Sequence, residues 1–248
     1  MKIWLASVTI LTALALPAQS LDLDGMSDAE REAFRAEIRE YLLENPEVIM
    51  EAVAVLEERE AAQQAEADLA LVAANEEALF QDTHSWVGGN PDGDITLVEF
   101  IDYRCGFCRR AHPEIETLLE TDGNIRLIVK EFPILGEDSL ISSRFAIAVK
   151  QVAGDEEYKA VHDALIALPG EVSEPALRRL SDTFGLPTDD ILAHMESDDV
   201  TEVIESNHAL AQRLRISGTP TFVMQTQMLR GFVPADEMLV LVEELRSE

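Results

Sequence analysis

Both cysteines of the chain lie in the four-residue motif CGFC, at the point where a strand pattern gives way to a helical one. Before the motif, ITLVEFID (95–102) is an apolar run with β-branched residues and no breaker, which predicts a buried strand. After it, CRRAHPEIETLLE predicts a helix and NIRLIVKEFPI (124–134) predicts a second strand. This order predicts a βαβ unit with the cysteines at the start of its helix.

The position of Cys105 at a strand-to-helix junction predicts a reactive thiol. Unpaired amide groups and the positive end of the helix dipole stabilise a thiolate there. Arg104, Arg109 and Arg110 add positive charge to a chain whose formal net charge is −29. Cys108 lies one turn further along the same helix face and is expected to attack a mixed disulfide formed at Cys105. The pattern therefore predicts an exposed, anionic attacking sulfur at Cys105 and a resolving thiol at Cys108.

Two non-redox uses of the cysteine pair compete with this interpretation. A structural disulfide across so short a loop would constrain little of the unfolded chain, so it would contribute little stability. A zinc site would need two more ligands, and the histidines at 84, 112, 162, 194 and 208 lack a paired ligand spacing. No metal and no cofactor are therefore expected. His112, on the same helix face as Cys108, either tunes the thiols or is a polar surface residue.

The first 84 residues contain two segments of different character. Residues 1–20 combine a short positive start, an apolar run and small residues at its end, which predicts a cleaved secretory signal and export to the oxidising periplasm. An uncleaved membrane anchor is the alternative. Residues 21–84 form a predicted helical extension that is either a docked arm or an oligomerisation stalk. Its apolar stripes are formed by Phe34, Ile38 and Tyr41 and by Ile49, Val53 and Leu56.

Residues 85–248 are expected to form the catalytic domain. The turn residues of VGGNPDGD (87–94) predict a boundary loop before the first strand. A helical pattern covers about 138–214, SGTPTFVMQTQMLRGFV (217–233) predicts two short strands joined by a turn, and the last residues predict a helix. The excess of 48 acidic over 19 basic residues argues against a nucleic-acid partner, which would need a basic surface.

These motifs resemble the thioredoxin superfamily, and more closely its DsbA-like thiol–disulfide oxidoreductases. EFIDYRCGFC carries an acidic residue, Glu99, six positions before the first cysteine. SGTPTFV is similar to the loop in which a cis-proline, here Pro220 after Thr219, faces the redox pair. The 115 residues from Cys105 to Pro220 (220 − 105) leave room for a helical insertion. The resemblance implies an α/β, thioredoxin-like fold with a helical insertion at about 138–214, preceded by an N-terminal helical extension.

The resemblance also implies roles for individual site residues. Pro220 and Thr219 would expose backbone groups beside the redox pair, where a client peptide pairs as an added strand. Glu99 is either a buried acid that assists proton transfer to Cys108 or a solvated strand residue. Lys130 is a candidate partner for Glu99.

The differences from the DsbA type member favour isomerase or reductase activity over direct oxidation. The dipeptide Gly106-Phe107 replaces the Pro-His of the strongly oxidising type member, so the histidine that stabilises a thiolate there is absent. A threonine before the cis-proline is similar to isomerase-type relatives. The N-terminal extension is similar to that of the suppressor-of-copper-sensitivity C (ScsC) proteins, where such a segment drives trimer formation. A homo-oligomer is therefore implied, a trimer among the candidates.

The sequence thus predicts an exported protein disulfide oxidoreductase. Its expected clients are unfolded or wrongly disulfide-bonded secreted proteins, and its expected redox partner is a membrane thiol reductase or oxidase. DsbA-type dithiol oxidation is the main competing activity. Copper binding through the two thiols as soft ligands and a chaperone activity independent of Cys105 are two further hypotheses for the function.

Overall fold

The computed structural model describes residues 25–247, in two compact units that divide between Arg59 and Glu60. The expected signal segment, residues 1–20, lies outside the described residues. Within 25–247, no helix is both long and apolar enough to cross a membrane. The first unit is helical, and the second contains a sheet with helices on both faces.

The first unit consists of α1 (Asp28–Glu44) and the beginning of α2 (Glu47–Ala74). A capping box starts α1: the Ser27 hydroxyl accepts from the Glu30 N–H at 3.4 Å, and the Glu30 carboxylate accepts from the Ser27 N–H at 2.8 Å. No residue of α1 is buried, so the apolar stripe predicted on this helix is exposed. The large apolar side chains exposed in this unit are Phe34, Ile38, Tyr41, Leu43, Ile49, Met50, Val53, Val55 and Leu56.

The second unit is built on a five-stranded sheet in the order β1-β3-β2-β4-β5. Its strands are β1 (Trp86–Gly89), β2 (Ile95–Ile101), β3 (Ile125–Glu131), β4 (Thr221–Met224) and β5 (Gln227–Arg230). The central β2 runs parallel to β3 and antiparallel to β4, and the two edge strands pair antiparallel with their neighbours. The parallel pair β2–β3 is joined through a helix, which confirms the predicted βαβ unit.

Helices cover both faces of this sheet. After α2 they are α3 (Glu76–Phe80), α4 (Gly106–Asp122), α5 (Glu137–Val152), α6 (Asp155–Ala167), α7 (Glu174–Phe184), α8 (Thr188–His194), α9 (Asp198–Arg213) and α10 (Ala235–Ser247). Helices α5 to α9 lie between β3 and β4 in the chain, so the helical insertion has almost the limits that were predicted. Alternate residues of β2 join two apolar cores: Leu97 and Ile101 face one, and Val98 and Phe100 face the other.

The predicted loop over 87–94 is wrong at its start, because β1 extends through Gly89. Both glycines of this strand are required by close contacts rather than by a turn. A Cβ on Gly88 would lie 2.0 Å from the Trp86 ring. Gly89 has a φ of +64°, and a Cβ there would lie 2.4 Å from the Ile125 carbonyl oxygen. The Gly-Gly pair therefore fits an edge strand that passes close to its neighbours.

The compact unit that contains the sheet begins at Glu60, whereas the sequence places the domain boundary at residue 85. Residues 60–84 pack on this unit through both apolar and polar contacts. Val72 and Leu79 are buried in the same core as Val98 and Phe100. Asp68, which is 5% exposed, accepts hydrogen bonds from the Arg230 guanidinium at 2.7 and 3.2 Å. The second half of the predicted extension is therefore part of the sheet-containing unit.

Candidate active site

Cys105 lies at the N-cap of α4, immediately before the first helical residue. Asp102, at the end of β2, shapes the turn that leads to it. One Asp102 carboxylate oxygen accepts from the Arg104 N–H at 2.8 Å, and the other accepts from the N–H groups of Ile134 and Leu135 at 2.8 and 3.0 Å. Sequence reasoning missed this buried aspartate, although an aspartate that bonds the backbone two residues on is a known turn signal.

The sulfur of Cys105 faces the loop that contains Pro220. The peptide bond between Thr219 and Pro220 is cis. The Cys105 thiol donates to the Thr219 carbonyl oxygen, with 3.0 Å between sulfur and oxygen. The expectation of an exposed sulfur is wrong, because Cys105 is only 6% exposed. Its thiol is covered by the loop where the sequence predicts that a client strand would pair.

Cys108 lies one turn further into α4 and is completely buried. Both cysteines are free in this structure. Burial, and after it the negative charge of Glu99, raise the pKa of the Cys108 thiol well above its ordinary value. A group that removes the Cys108 proton is therefore needed before this sulfur can attack a disulfide.

Glu99 is a buried acid, since its exposure is 2%. Burial, and then the charges of Glu131 and Glu116, raise the pKa of Glu99 to about 8. This excludes the solvated-strand alternative for Glu99. Glu99 lies between Leu97 and Ile101 on the face of β2 that joins the core containing Cys108, so the two side chains face the same interior region.

Lys130 does not pair with Glu99, contrary to the sequence interpretation. Lys130 is directly opposite Phe100 in the parallel ladder, and opposite residues share a face, so Lys130 lies on the other face of the sheet from Glu99. Its ammonium group instead contacts the Asp82 carboxylate and donates to the Ala78 carbonyl at 2.9 Å.

The three arginines near the cysteines in sequence each contact a backbone carbonyl or an aromatic ring. Arg104 and Arg109 both donate to the Leu168 carbonyl, at 3.5 and 3.1 Å. The Arg110 guanidinium lies 4.5 Å from the centre of the Phe232 ring. The positive charge predicted near Cys105 is therefore held in place by the backbone and by an aromatic ring.

A buried hydrogen-bond network behind the cysteines was not found from the sequence. Glu131 is 3% exposed and accepts from the hydroxyl groups of Tyr103, Tyr158 and Ser143 at 2.7, 2.6 and 2.7 Å. Burial raises the pKa of Glu131 to about 7, against the lowering effect of these three hydrogen bonds. The acidic residue at the end of β3 was the available signal, but its three partners lie in separate segments of the chain.

Three ionisable side chains, distant in sequence, also meet between α4 and α6. His112, His162 and Asp163 each place one potential ligand atom within 4.8 Å of the others. His112 is half-buried rather than a simple surface residue, and its Nε2 lies 3.3 Å from an Asp163 carboxylate oxygen. The spacing of 50 residues between the two histidines (162 − 112) gave no sequence signal for this cluster.

The sheet, the helical insertion and the Cys-x-x-Cys motif at a helix start define a thiol–disulfide oxidoreductase of the DsbA and ScsC type. The chain belongs to the DSBA-like thioredoxin domain family, which matches residues 96–246. Residues 30–63 match a second family, the copper resistance protein ScsC N-terminal domain. Both matches confirm the resemblance drawn from the sequence, and they confirm the thioredoxin-like fold class with its N-terminal extension.

Solved structures give the same assignment. A thioredoxin-like oxidoreductase from Silicibacter pomeroyi DSS-3 is 40% identical, covers 70% of this chain and 99% of its own, and superposes with a TM-score of 0.66. Proteus mirabilis ScsC in a transitional conformation is 28% identical and superposes with a TM-score of 0.64. That comparison covers 88% of this chain and 98% of the ScsC chain, so it includes most of the N-terminal extension.

This chain spans only about a fifth of the length of a much longer curated relative. The Na(+)/H(+) antiporter NhaA 1 of Salinispora arenicola is 27% identical over 146 residues, which are 58% of this chain. The match spans only 22% of the length of the antiporter. The similarity therefore concerns a minor part of the antiporter and gives no reason to assign transport activity to this chain.

Proposed function

We propose that this protein is an exported thiol–disulfide exchange enzyme that reduces or isomerises disulfides in secreted client proteins. The observation that carries this proposal is the Cys105 sulfur at the N-cap of α4, 3.0 Å from the carbonyl oxygen that precedes a cis-proline. Backbone amides at a helix start stabilise a thiolate, and the adjacent loop offers backbone groups to an extended peptide. A client disulfide can thus be held against the attacking sulfur.

The exchange begins with attack of the Cys105 thiolate on a client disulfide. A mixed disulfide forms, and one client sulfur leaves as a thiolate that takes up a proton. In isomerisation, another client thiolate attacks the mixed disulfide and releases Cys105, so no electrons are consumed. In reduction, Cys108 attacks instead, the client leaves with both thiols reduced, and the enzyme is left with a Cys105–Cys108 disulfide. A membrane thiol reductase must then return two electrons and two protons.

Glu99 is the proposed proton acceptor for Cys108. Its buried carboxyl has a pKa of about 8, so both its protonated and its ionised forms are present near neutral pH. The ionised form can take up the Cys108 proton, and the protonated form can return it. The burial of Cys108 makes such assistance necessary, because water does not reach its sulfur. Thr219 contributes through its carbonyl group, and Pro220 holds that carbonyl beside Cys105.

The preference for isomerase or reductase activity is supported by the N-terminal extension. Residues 30–63 match the ScsC N-terminal domain, and the apolar side chains of α1 are exposed in the single chain. Contiguous apolar side chains that are exposed to solvent on one face of a helix are typical of association surfaces. A homo-oligomer would present several Cys105 sulfurs to one misfolded client. Export by a signal segment at residues 1–20 would place the enzyme with secreted clients.

The test is a scrambled-disulfide refolding assay on the mature protein and its Cys105→Ser and Cys108→Ser variants. We expect Cys105→Ser to abolish recovery of the native client. Cys108→Ser should keep part of the isomerase activity, because a client thiolate can still release Cys105. It should also accumulate a mixed disulfide, because Cys108 no longer resolves clients that lack a suitable thiolate. Full recovery with Cys105→Ser would instead favour a chaperone.

The resting redox state separates isomerase and reductase activity from oxidation. Alkylation of free thiols in freshly extracted protein should label Cys105, because an isomerase needs this thiol reduced. A wholly oxidised pool would refute the preferred activity and support DsbA-type dithiol oxidation. The same extract treated with reductant before alkylation is the control for complete labelling.

A further inference from the structure

The cluster between α4 and α6 has the donor atoms of a metal site. His112 comes from α4, and His162 and Asp163 are consecutive residues of α6. One nitrogen from each imidazole and one carboxylate oxygen lie within 4.8 Å of one another. Two imidazoles and a carboxylate are a ligand set that suits Zn²⁺, with the fourth position left to water.

The buried network holds His162 in the form that binds a metal. His162 is 3% exposed, and its Nδ1 lies 3.0 Å from the Tyr103 hydroxyl. That hydroxyl donates its proton to Glu131 at 2.7 Å, so it can only accept from His162. We therefore assign the His162 proton to Nδ1, which leaves a lone pair on Nε2. No hydrogen bond involves Nε2 of His162 among residues 25–247.

This arrangement is the usual support of a metal-binding histidine. A carboxylate or hydroxyl that accepts from the second ring nitrogen fixes the tautomer and the orientation of the ring. A buried histidine with an unused lone pair thus points to a ligand rather than to an ion pair.

The other two residues of the cluster, His112 and Asp163, are accessible to solvent, so a metal ion can reach the site from outside. The side chains of His112 and Asp163 are 20% and 41% exposed. Lys159 competes for Asp163, at 2.8 and 2.6 Å from its two oxygens. Lys159 also lies 3.3 Å from Glu116, so it can keep that partner when an Asp163 oxygen binds a cation.

We propose that His112, His162 and Asp163 form a binding site for a divalent transition-metal ion, with Zn²⁺ as the best match. The site uses neither thiol as a ligand and does not depend on the proposed exchange activity. The acidic chain, with a formal net charge of −29, raises the local concentration of cations around it.

The experiment is a Zn²⁺ titration by calorimetry on the mature Cys105→Ser, Cys108→Ser double variant, in which the thiols cannot bind metal. Co²⁺ absorption spectra report whether nitrogen ligands surround the ion in a tetrahedral site. We expect one saturable site per chain and intense tetrahedral Co²⁺ bands. His112→Ala in the same background should weaken binding at least about tenfold, since it removes one of three protein ligands. His194→Ala, which removes a histidine outside the cluster, is the matched control and should leave the affinity unchanged.

Equal affinity of the His112→Ala variant and its parent would overturn the proposal, and so would binding without a saturable single site. The latter result would show that the acidic surface alone attracts Zn²⁺. A Tyr103→Phe variant tests the support of His162, and we expect about a 10- to 100-fold loss of affinity. Circular dichroism of each variant checks that the fold is intact.

Discussion

At the scale of single residues, Glu99 makes stability depend on pH. Its pKa is about 8 in the folded chain, above the ordinary value of 4.5, so the folded state keeps a proton that the unfolded state loses. Stability from this group is therefore lost as pH rises from about 5 to 8, by at most about 1.4 kcal/mol per pH unit. The glutamine of a Glu99→Gln variant cannot ionise, so the variant does not lose this stability as the pH rises.

We expect the free energy of unfolding of the native chain to fall relative to that of Glu99→Gln across this range. Urea titrations at pH 5, 6, 7 and 8 measure the difference. Glu120→Gln, on the exposed surface of α4, is the control and should follow the native chain. A difference between the native chain and Glu99→Gln that does not change with pH would contradict the buried, protonated state of Glu99.

Thr219 and Thr221 offer a matched pair of hydroxyl groups beside Pro220. Within residues 25–247, the buried Thr219 hydroxyl has no hydrogen bond of normal geometry and only lowers the pKa of the Cys108 thiol. The Thr221 hydroxyl, in contrast, donates to the Gly218 carbonyl at 2.8 Å. A buried polar group without a partner costs about 1–3 kcal/mol, and a hydrogen bond contributes about 1 kcal/mol. Thr219→Val should therefore keep or raise the melting temperature, and Thr221→Val should lower it. The opposite order in calorimetry would contradict this assignment.

The residues that sequence reasoning found are those whose signal is local. The cysteine motif and the Thr-Pro dipeptide are short patterns, so Cys105 and Pro220 could be named from the chain alone. Glu131 and His162 could not, because their partners lie in other elements and only the fold brings them together. The sequence analysis paired Lys130 with Glu99 wrongly, because the face of the sheet on which Lys130 lies depends on the register between β2 and β3.

At the scale of elements, an ion pair holds the end of α2 to the edge of the sheet. Asp68 is almost buried and receives two hydrogen bonds from Arg230 of β5. Asp68→Ala should lower the free energy of unfolding by about 1.5–3 kcal/mol, the range for hydrogen bonds to charged groups. Arg178→Ala breaks pairs with Glu174 and Asp189 that are exposed, so it should change stability little. Equal effects of the two substitutions in urea titrations would count against this anchoring role.

Elements with a clear local pattern were predicted from the sequence, including the two short strands β4 and β5, whereas the edge strand β1 was not. The insertion helices and the strands β2 and β3 follow their apolar patterns closely. β1 was missed because two of its four residues are glycines, which favour a turn, and because its pairing partner β3 lies some 40 residues away. Edge strands of this kind depend on tertiary contacts more than on propensity.

At the scale of the whole molecule, the boundary between the two units also depends on tertiary contacts. The sequence pattern of α2 is continuous, so composition placed the end of the extension at residue 84. The structure places residues 60–84 with the sheet, through the buried Val72 and Leu79 and the Asp68 ion pair. The segment available for association is therefore shorter than the predicted extension, and it agrees with the match at residues 30–63.

The exposed stripe of the first unit predicts the oligomeric state. Ile38 lies on the apolar face of α1 and is 44% exposed in the single chain. If copies associate through this face, Ile38→Glu buries a charge in the interface and should dissociate the oligomer. Ala36→Glu places the same charge on the opposite face of α1, about 160° around the helix at 100° per residue, and should leave the oligomer intact. Light scattering coupled to size-exclusion chromatography measures the mass of each form.

Activity assays on the same variants connect assembly to function. A monomeric Ile38→Glu protein should still reduce a small disulfide substrate, because Cys105 and its surroundings lie in the other unit. Its recovery of scrambled client proteins should fall, since isomerisation benefits from several reactive sulfurs acting on one client. Two results would contradict this link: a native chain that is monomeric at micromolar concentration, or an Ile38→Glu monomer with undiminished isomerase activity. Either result would mean that isomerase activity does not require association through the N-terminal extension, and that the exposed stripe binds a different partner.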